Sequence, residues 1–168
     1  MNDIQNIIDS IQNEKESSRY SKRLSFLKDE KNMEISQIEE GITQVSNVLD
    51  SEGKSFVIYG EPQSGKTEMM IALTCKLLDE GYKTIFIVMN DNTELENQNF
   101  NRFRSASELN TAPMRDSQLQ GMEIADLKTK KIRVIFCRKN KNNLEKLIDN
   151  CRYITGERVL IDDEADYA

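Results

Sequence analysis

The 168-residue sequence contains no histidine and only three cysteines. Without histidine, nucleophilic catalysis by a Ser/His or Cys/His pair is excluded, and so is a histidine-ligated metal site. Cys75, Cys137 and Cys151 are odd in number and widely spaced, which argues against a disulfide framework or a thiolate metal site and predicts reduced core residues. Any metal that this chain binds would therefore be a hard cation held through oxygen atoms.

Long hydrophobic runs are also missing, since runs such as "IFIVM" are far too short to cross a bilayer. The N-terminus has no basic segment followed by an apolar stretch and no small-residue cleavage site, so nothing in it marks the chain for export. We therefore expect no membrane insertion and a cytoplasmic location. The length fits one domain with a helical extension.

Glycine and proline are nearly absent from the first fifty residues, where Gly41 is the single exception. Apolar residues there recur every three or four positions in three stripes, which predict three helices. The stripes are Ile4, Ile7, Ile8 and Ile11; Tyr20, Leu24 and Leu27; and Ile35, Ile38, Ile42, Val45 and Leu49. The third spacing also suits a coiled coil, but it is too short to prefer that over packing on the domain.

From Ser55 onward, short β-rich runs alternate with helical ones. The predicted strands are "SFVIY" (55–59), "KTIFIVM" (83–89), "KIRVIF" (131–136) and "RVLI" (158–161), and the predicted helices are 66–80, 93–108 and 141–151. This alternation predicts an α/β fold with a parallel sheet and helices on both faces. We expect a helical extension at 1–50 and the α/β part at 51–168, in which 104–121 is an irregular loop.

The stretch "GEPQSGKT", Gly60–Thr67, matches the phosphate-binding pattern G-x-x-x-x-G-K-[ST] between a predicted strand and a predicted helix. Its glycines allow backbone N–H groups to point at phosphate oxygens, Lys66 reaches the β and γ phosphates, and Thr67 offers its hydroxyl to Mg²⁺. The alternative is a plain strand-to-helix turn, which does not explain the lysine. The predicted ATP-binding residues are Gly60, Glu61, Pro62, Gln63, Ser64, Gly65, Lys66, Thr67 and Glu68.

A second acidic signal follows the last predicted strand in "IDDEAD", Ile161–Asp166. A strand that ends in Asp-Glu delivers carboxylates to the carboxyl edge of a parallel sheet, where Mg²⁺ and the γ phosphate would lie. We assign Asp163 to Mg²⁺ and Glu164 to the catalytic base that polarises water, together with Lys66 as the catalytic cation. Asp162 is either a further ligand or an exposed residue, and a solvated acidic strand end is the alternative for the whole stretch.

The net charge of −6 alone would argue against nucleic acid as a partner, but the basic residues are unevenly distributed. Eight of them lie between Lys128 and Lys146, where Glu145 is the single acidic residue. The stretch is either a phosphate-binding surface for DNA or RNA or a solvated face beside a strand.

Together, "GEPQSGKT" and "IDDEAD" resemble motifs I and II of the superfamily-two helicases, whose cores are RecA-like. By the same resemblance, Gln44 in "ITQVSNVLDSEGKS" would read adenine, and "TELENQ" (93–98) would touch a nucleic acid backbone. The segment "VIFCRKNKNNLEKL" lacks the Thr-Pro-x-Arg pattern of motif Ib. With the loop and "IDDEAD", that segment is similar to the Z-one domain family, helicase-like proteins that accompany bacterial restriction and defence genes.

The resemblance implies further parts that these 168 residues do not show, namely motif III, a second RecA-like lobe and arginine fingers. We therefore expect an incomplete sheet with a gap and weak ATP hydrolysis by this chain alone. The simplest explanation is that a longer protein completes the sheet, and the alternatives are a partner chain or a remodelled sheet. Two other functions stay open. One is a nucleotide-dependent protein-assembly switch that docks through its N-terminal helices, and the weaker one is a kinase-type phosphoryl transferase.

Overall fold

A computed structural model describes residues 17–51, 55–58 and 65–163. The chain divides into two compact units, with the division between Asp79 and Glu80. The first predicted helical stripe, at 4–11, lies outside the described residues. The domain boundary expected after residue 50 stays a prediction.

The regular elements in the described part of the first unit are all helices. Its elements are α1 at Arg19–Ser25, a π-helical turn at Phe26–Glu30, α2 at Ser36–Asp50 and α3 at Lys66–Asp79. The Ser18 hydroxyl caps α1 by accepting a hydrogen bond from the N–H of Ser21. The second and third apolar stripes form helices as predicted. Among their residues, Leu27, Ile42 and Val45 are buried.

Both N-terminal helices pack against α3. At the crossing of α2 and α3, a Cβ built on Gly41 would lie 3.0 Å from the Cε atom of Met69. The absence of a side chain at Gly41 therefore allows the close approach of the two helices. This contact explains why the only glycine of the first fifty residues stands inside a helix.

The predicted strand "SFVIY" is wrong for residues 55–58, which have no regular structure, while Tyr59 lies outside the described residues. Val57 is 86% exposed and Ile58 is 37% exposed. Their apolar, β-branched character favours a strand, but a strand forms only where a neighbour supplies hydrogen bonds. In the part of the chain that the structure describes, these residues have no such neighbour in the sheet.

The second unit is built on a four-stranded parallel sheet. Its strands are β1 at Thr84–Met89, β2 at Met114–Arg115, β3 at Arg133–Arg138 and β4 at Arg158–Asp162, in the order β2-β3-β1-β4. In register, Phe86 of β1 lies between Ile135 of β3 and Leu160 of β4. The α/β class, the parallel sheet and the incomplete RecA-like core are confirmed.

Helices flank the sheet on both faces. On one face, Phe136 makes edge-to-face contacts with Phe100 and Phe103 of α4, which spans Thr93–Ser105. On the other face, Phe86 and Ile135 pack in a core with Leu147 of α7. Because β1 is central and covered on both faces, all six of its residues are buried.

The predicted loop at 104–121 contains more structure than expected. It includes a 3-10 turn at Ser107–Leu109, the edge strand β2, and the single-turn helix α5 at Asp116–Leu119. The remaining elements are α6 at Ile124–Leu127 and α7 at Lys141–Cys151. Among the described helices, none has the length and apolar character that a membrane span requires.

Candidate nucleotide site

The predicted phosphate loop ends where α3 begins. Gly65 has a φ of +81°, a left-handed backbone conformation that favours glycine. Its carbonyl accepts a hydrogen bond from the N–H of Met69 at 3.0 Å, and Lys66, the first residue of α3, is exposed. The residues that lie outside the described part of the loop are Gly60, Glu61, Pro62, Gln63 and Ser64.

The start of α3 has the chemistry that a phosphate requires. Amides of the first helical turn precede the i to i−4 ladder, and the helix dipole places partial positive charge at that end. Lys66 adds a full positive charge there, and the Thr67 hydroxyl follows it. These groups fit a nucleotide phosphate with its hard cation.

The N-terminal helices contact this same turn. The Arg23 guanidinium of α1 forms an ion pair with the Glu68 carboxylate. A Cβ built on Gly65 would lie 3.2 Å from the Cε atom of Met33. Because the Glu68 carboxylate is occupied by Arg23, the group of Glu68 that could bind a phosphate is its backbone N–H.

Gln44, predicted to read adenine, lies on an exposed face of α2. Its side-chain amide donates a hydrogen bond to the Glu40 carboxylate at 3.4 Å. The side chain is therefore accessible, and its contact with a base stays a prediction.

The acidic end of β4 lies at the carboxyl edge of the sheet. The N–H of Asp163 donates to the Val88 carbonyl at 2.9 Å, which holds Asp163 beside the end of β1. The Asp162 carboxylate pairs with Lys139 at 2.8 Å, so its role as a further metal ligand loses support. Glu164 lies outside the described residues.

The predicted metal ligands belong to different units. Thr67 is in the first unit and Asp163 in the second, so their meeting at one Mg²⁺ stays a prediction. Within residues 17–51, 55–58 and 65–163, no group of three or more Cys, Asp or Glu side chains is arranged to hold a metal ion. This is compatible with Mg²⁺, which is commonly held by one or two protein oxygens together with nucleotide phosphates and water.

Three members of the basic stretch are buried or half-buried and form contacts within the protein. Arg133 is buried, and its guanidinium donates to the carbonyls of Thr129 at 3.0 Å and Lys131 at 3.2 Å. Burial lowers the pKa of Arg133. Arg138 forms an ion pair with Asp91 at 3.4 Å. Lys139, the third, pairs with Asp162 as described above.

The remaining five lysines are exposed and fall into two groups. Lys128, Lys130 and Lys131 precede β3 and therefore lie toward the amino edge of the sheet. Lys141 and Lys146 are on α7, which begins after β3 at the carboxyl edge. A six-residue strand of about 20 Å separates the two groups, so the stretch is not one continuous basic surface.

A buried charge cluster was missed in the sequence. Glu96, with a side chain only 6% exposed, forms ion pairs with both Arg115 and Arg138. We call these three residues the Glu96 cluster. It ties α4, which carries the "TELENQ" segment, to the ends of β2 and β3. Glu96 gives no sequence signal of burial, because the two arginines lie 19 and 42 positions further along the chain.

The cysteines are free thiols, as predicted, and Cys75 and Cys137 are buried. Burial, followed by the nearby Asp116 carboxylate, raises the pKa of Cys137 to about 12. Burial also raises the pKa of Cys151. At Cys137 and Cys151, the thiolate that nucleophilic catalysis requires is therefore disfavoured at neutral pH.

Comparison with known proteins gives one family. The model of the SWI2/SNF2 ATPase family matches residues 33–166, which include α2, the loop, the whole sheet and the acidic end of β4. No curated protein and no solved structure matches the chain. Because the family match extends over most of the sequence and includes both predicted motifs, this chain belongs to the SWI2/SNF2 ATPase family of helicase-like proteins.

Proposed function

We propose that this chain binds Mg-ATP at Gly60–Thr67 and is the ATP-binding part of a helicase-like ATPase that acts on nucleic acid. The start of α3 supports the proposal most directly, because it joins a left-handed Gly65 to an exposed Lys66 and a hydroxyl at Thr67. Membership in an ATPase family supports the same nucleotide.

Each residue has a role that its chemistry allows. Lys66 binds the β and γ phosphates, while Thr67 and Asp163 supply oxygen ligands for Mg²⁺. Bound Mg²⁺ would neutralise charge on the phosphates. Glu164 orients and polarises the attacking water as the base. Gln44 contacts the adenine.

Nucleic acid binding is proposed for the carboxyl edge of the sheet. Lys141 lies at the start of α7, and the "TELENQ" segment begins α4 after β1, so both elements start at that edge. The resemblance to the Z-one domain family supports a cytoplasmic role in a bacterial defence or restriction-type system. The weak hydrolysis expected of the 168-residue chain alone is part of this proposal.

Calorimetric titration with Mg-ATP tests the nucleotide site. Lys66→Ala is expected to weaken binding about tenfold to a hundredfold, because a charge-assisted hydrogen bond contributes roughly 1.5 to 3 kcal/mol. Lys22→Ala is the matched control, since Lys22 is an exposed lysine of α1 with no role in the site. Equal affinities for both variants, or no heat with the unmodified chain, would refute the assignment.

The salt dependence of oligonucleotide binding tests the nucleic acid surface. Each phosphate contact contributes about 0.7 to the slope of log K against log salt for single strands. Lys141→Ala with Lys146→Ala is expected to reduce the slope by about 1.4, whereas Lys128→Ala with Lys130→Ala leaves it unchanged. A larger effect from the second pair would place the nucleic acid at the amino edge instead.

A nucleotide-dependent assembly switch is the second candidate. Strand β4 is at the end of the sheet that the described residues form, and Leu160 on it is 60% exposed, which favours a protein partner at this edge. This function predicts a change in oligomer size on adding Mg-ATP without nucleic acid. Light scattering that gives the same mass with and without Mg-ATP contradicts it.

A further inference from the structure

Two ion pairs hold α1 against α3, and they lie at opposite ends of α3. Arg19 pairs with Asp79 at 3.1 Å, in the last turn, and the Asp79 carboxylate also accepts the N–H of Tyr20 at 2.9 Å. Arg23 pairs with Glu68 in the first turn. Asp79 follows Glu68 by eleven positions, a rise of about 16 Å along the helix, so only the Arg23 pair adjoins the phosphate loop.

Arg23 is an unusual residue for its position. It is only 3% exposed, and its guanidinium lies 5.0 Å from the centre of the Phe26 ring. Burying a guanidinium is unfavourable unless an opposite charge compensates it, and an apolar side chain would pack against Phe26 without that cost. The presence of a charge therefore points to its partner, Glu68.

The Glu68 carboxylate lies at the end of α3 where the phosphates of a nucleotide would bring further negative charge. It follows Thr67 directly, in the first turn of α3. In the absence of a nucleotide, a carboxylate there is favoured by the helix dipole. Beside bound phosphates the same carboxylate would repel them, and it would compete with them for the cation, unless its charge is neutralised.

We propose that Arg23 is a positioning residue of the nucleotide site. It holds the Glu68 carboxylate against α1 and cancels its charge, which leaves the first-turn amides and Lys66 to bind phosphate. Met33 lies close to Gly65 and Met69 lies close to Gly41, so the turn between residues 65 and 69 also packs against the N-terminal segment around α1 and α2. The inference depends on the proposed nucleotide function and adds a residue that the loop pattern does not contain.

Mg-ATP titrations of the full 168-residue chain at low salt test the inference. Arg23→Met is expected to weaken binding about tenfold, because one uncompensated charge then faces the phosphates across a short, partly screened distance. The double variant Arg23→Met with Glu68→Gln should bind within about twofold of the unmodified chain. Arg19→Met is the matched control, since it removes the other ion pair between the same helices and should leave affinity unchanged.

A purely structural role would give a different pattern. It predicts similar losses for Arg23→Met and Arg19→Met, no rescue by Glu68→Gln, and no dependence on salt. The positioning role predicts rescue, and the deficit of Arg23→Met should shrink as sodium chloride is raised. Thermal unfolding confirms that each variant is folded.

If Arg23→Met does not fold, Arg23→Lys keeps the charge and should bind within about threefold of the unmodified chain. A folded lysine variant with a tenfold loss would overturn the inference, and so would a double variant that is as weak as Arg23→Met. Absence of binding by the unmodified chain would overturn the proposed function, and with it the inference.

Discussion

Removing the carboxylate of Glu96 should destabilise the second unit. Glu96→Ala removes the carboxylate that pairs with both Arg115 and Arg138, while Arg138 keeps its pair with Asp91. Breaking a buried ion pair costs about 3 to 5 kcal/mol. The two arginines are each about one-third exposed, and Arg115 also bonds Asn97 at 2.7 Å, so water and the remaining partners offset part of this cost. We expect a loss of about 2 kcal/mol in the free energy of unfolding.

Urea denaturation followed by circular dichroism measures this loss. Glu94→Ala is the matched control, because Glu94 is an exposed glutamate in the same helical turn, and it should change the free energy by less than about 0.5 kcal/mol. Replacing all three residues of the Glu96 cluster by leucine or methionine should recover most of the loss, since the cost arises from uncompensated charge. Equal effects of Glu96→Ala and Glu94→Ala would refute the reasoning, as would a triple variant less stable than Glu96→Ala.

Three further predictions concern the Cys137 thiol, the β4 edge of the described sheet and catalysis. Because folding raises the pKa of Cys137 to about 12, the unfolded state releases this proton at a lower pH than the folded state does. The free energy of unfolding should therefore fall as pH rises from about 8.5 toward 12. Urea denaturation between pH 7 and 10.5 should show a smaller fall for Cys137→Ala than for the unmodified chain. Leu160→Lys should reduce concentration-dependent association in light scattering. Because Leu160 is 60% exposed, the free energy of unfolding should change by less than about 0.5 kcal/mol. Unchanged association would exclude this edge as its cause. Glu164→Gln should leave Mg-ATP affinity unchanged and lower any steady-state ATPase rate, whereas weakened binding would indicate that Glu164 is a ligand and not the base.

Most elements of the second unit could be predicted because their signals are local. Apolar runs of the right length form the strands at 84–89, 133–138 and 158–162. The side chains of Asn92 and Asn140 cap the helices that follow them, at 93–105 and 141–151. The predicted phosphate-binding pattern and the acidic end of β4 are likewise short local patterns, and the role of the first stays a prediction. Such features depend on residues within one turn or one strand, so a single sequence carries them.

What could not be predicted depends on residues that are distant in the sequence. The same apolar character that predicts β1 also predicts a strand at 55–58, yet β1 lies between two hydrogen-bonded neighbours and residues 55–58 have none in the described sheet. Glu96 and Arg23 are charged residues that a sequence places at the surface, and each is buried because its partner comes from another element. In both units, therefore, the buried charges are specified by tertiary pairing, and variants that remove one partner at a time measure these pairs directly.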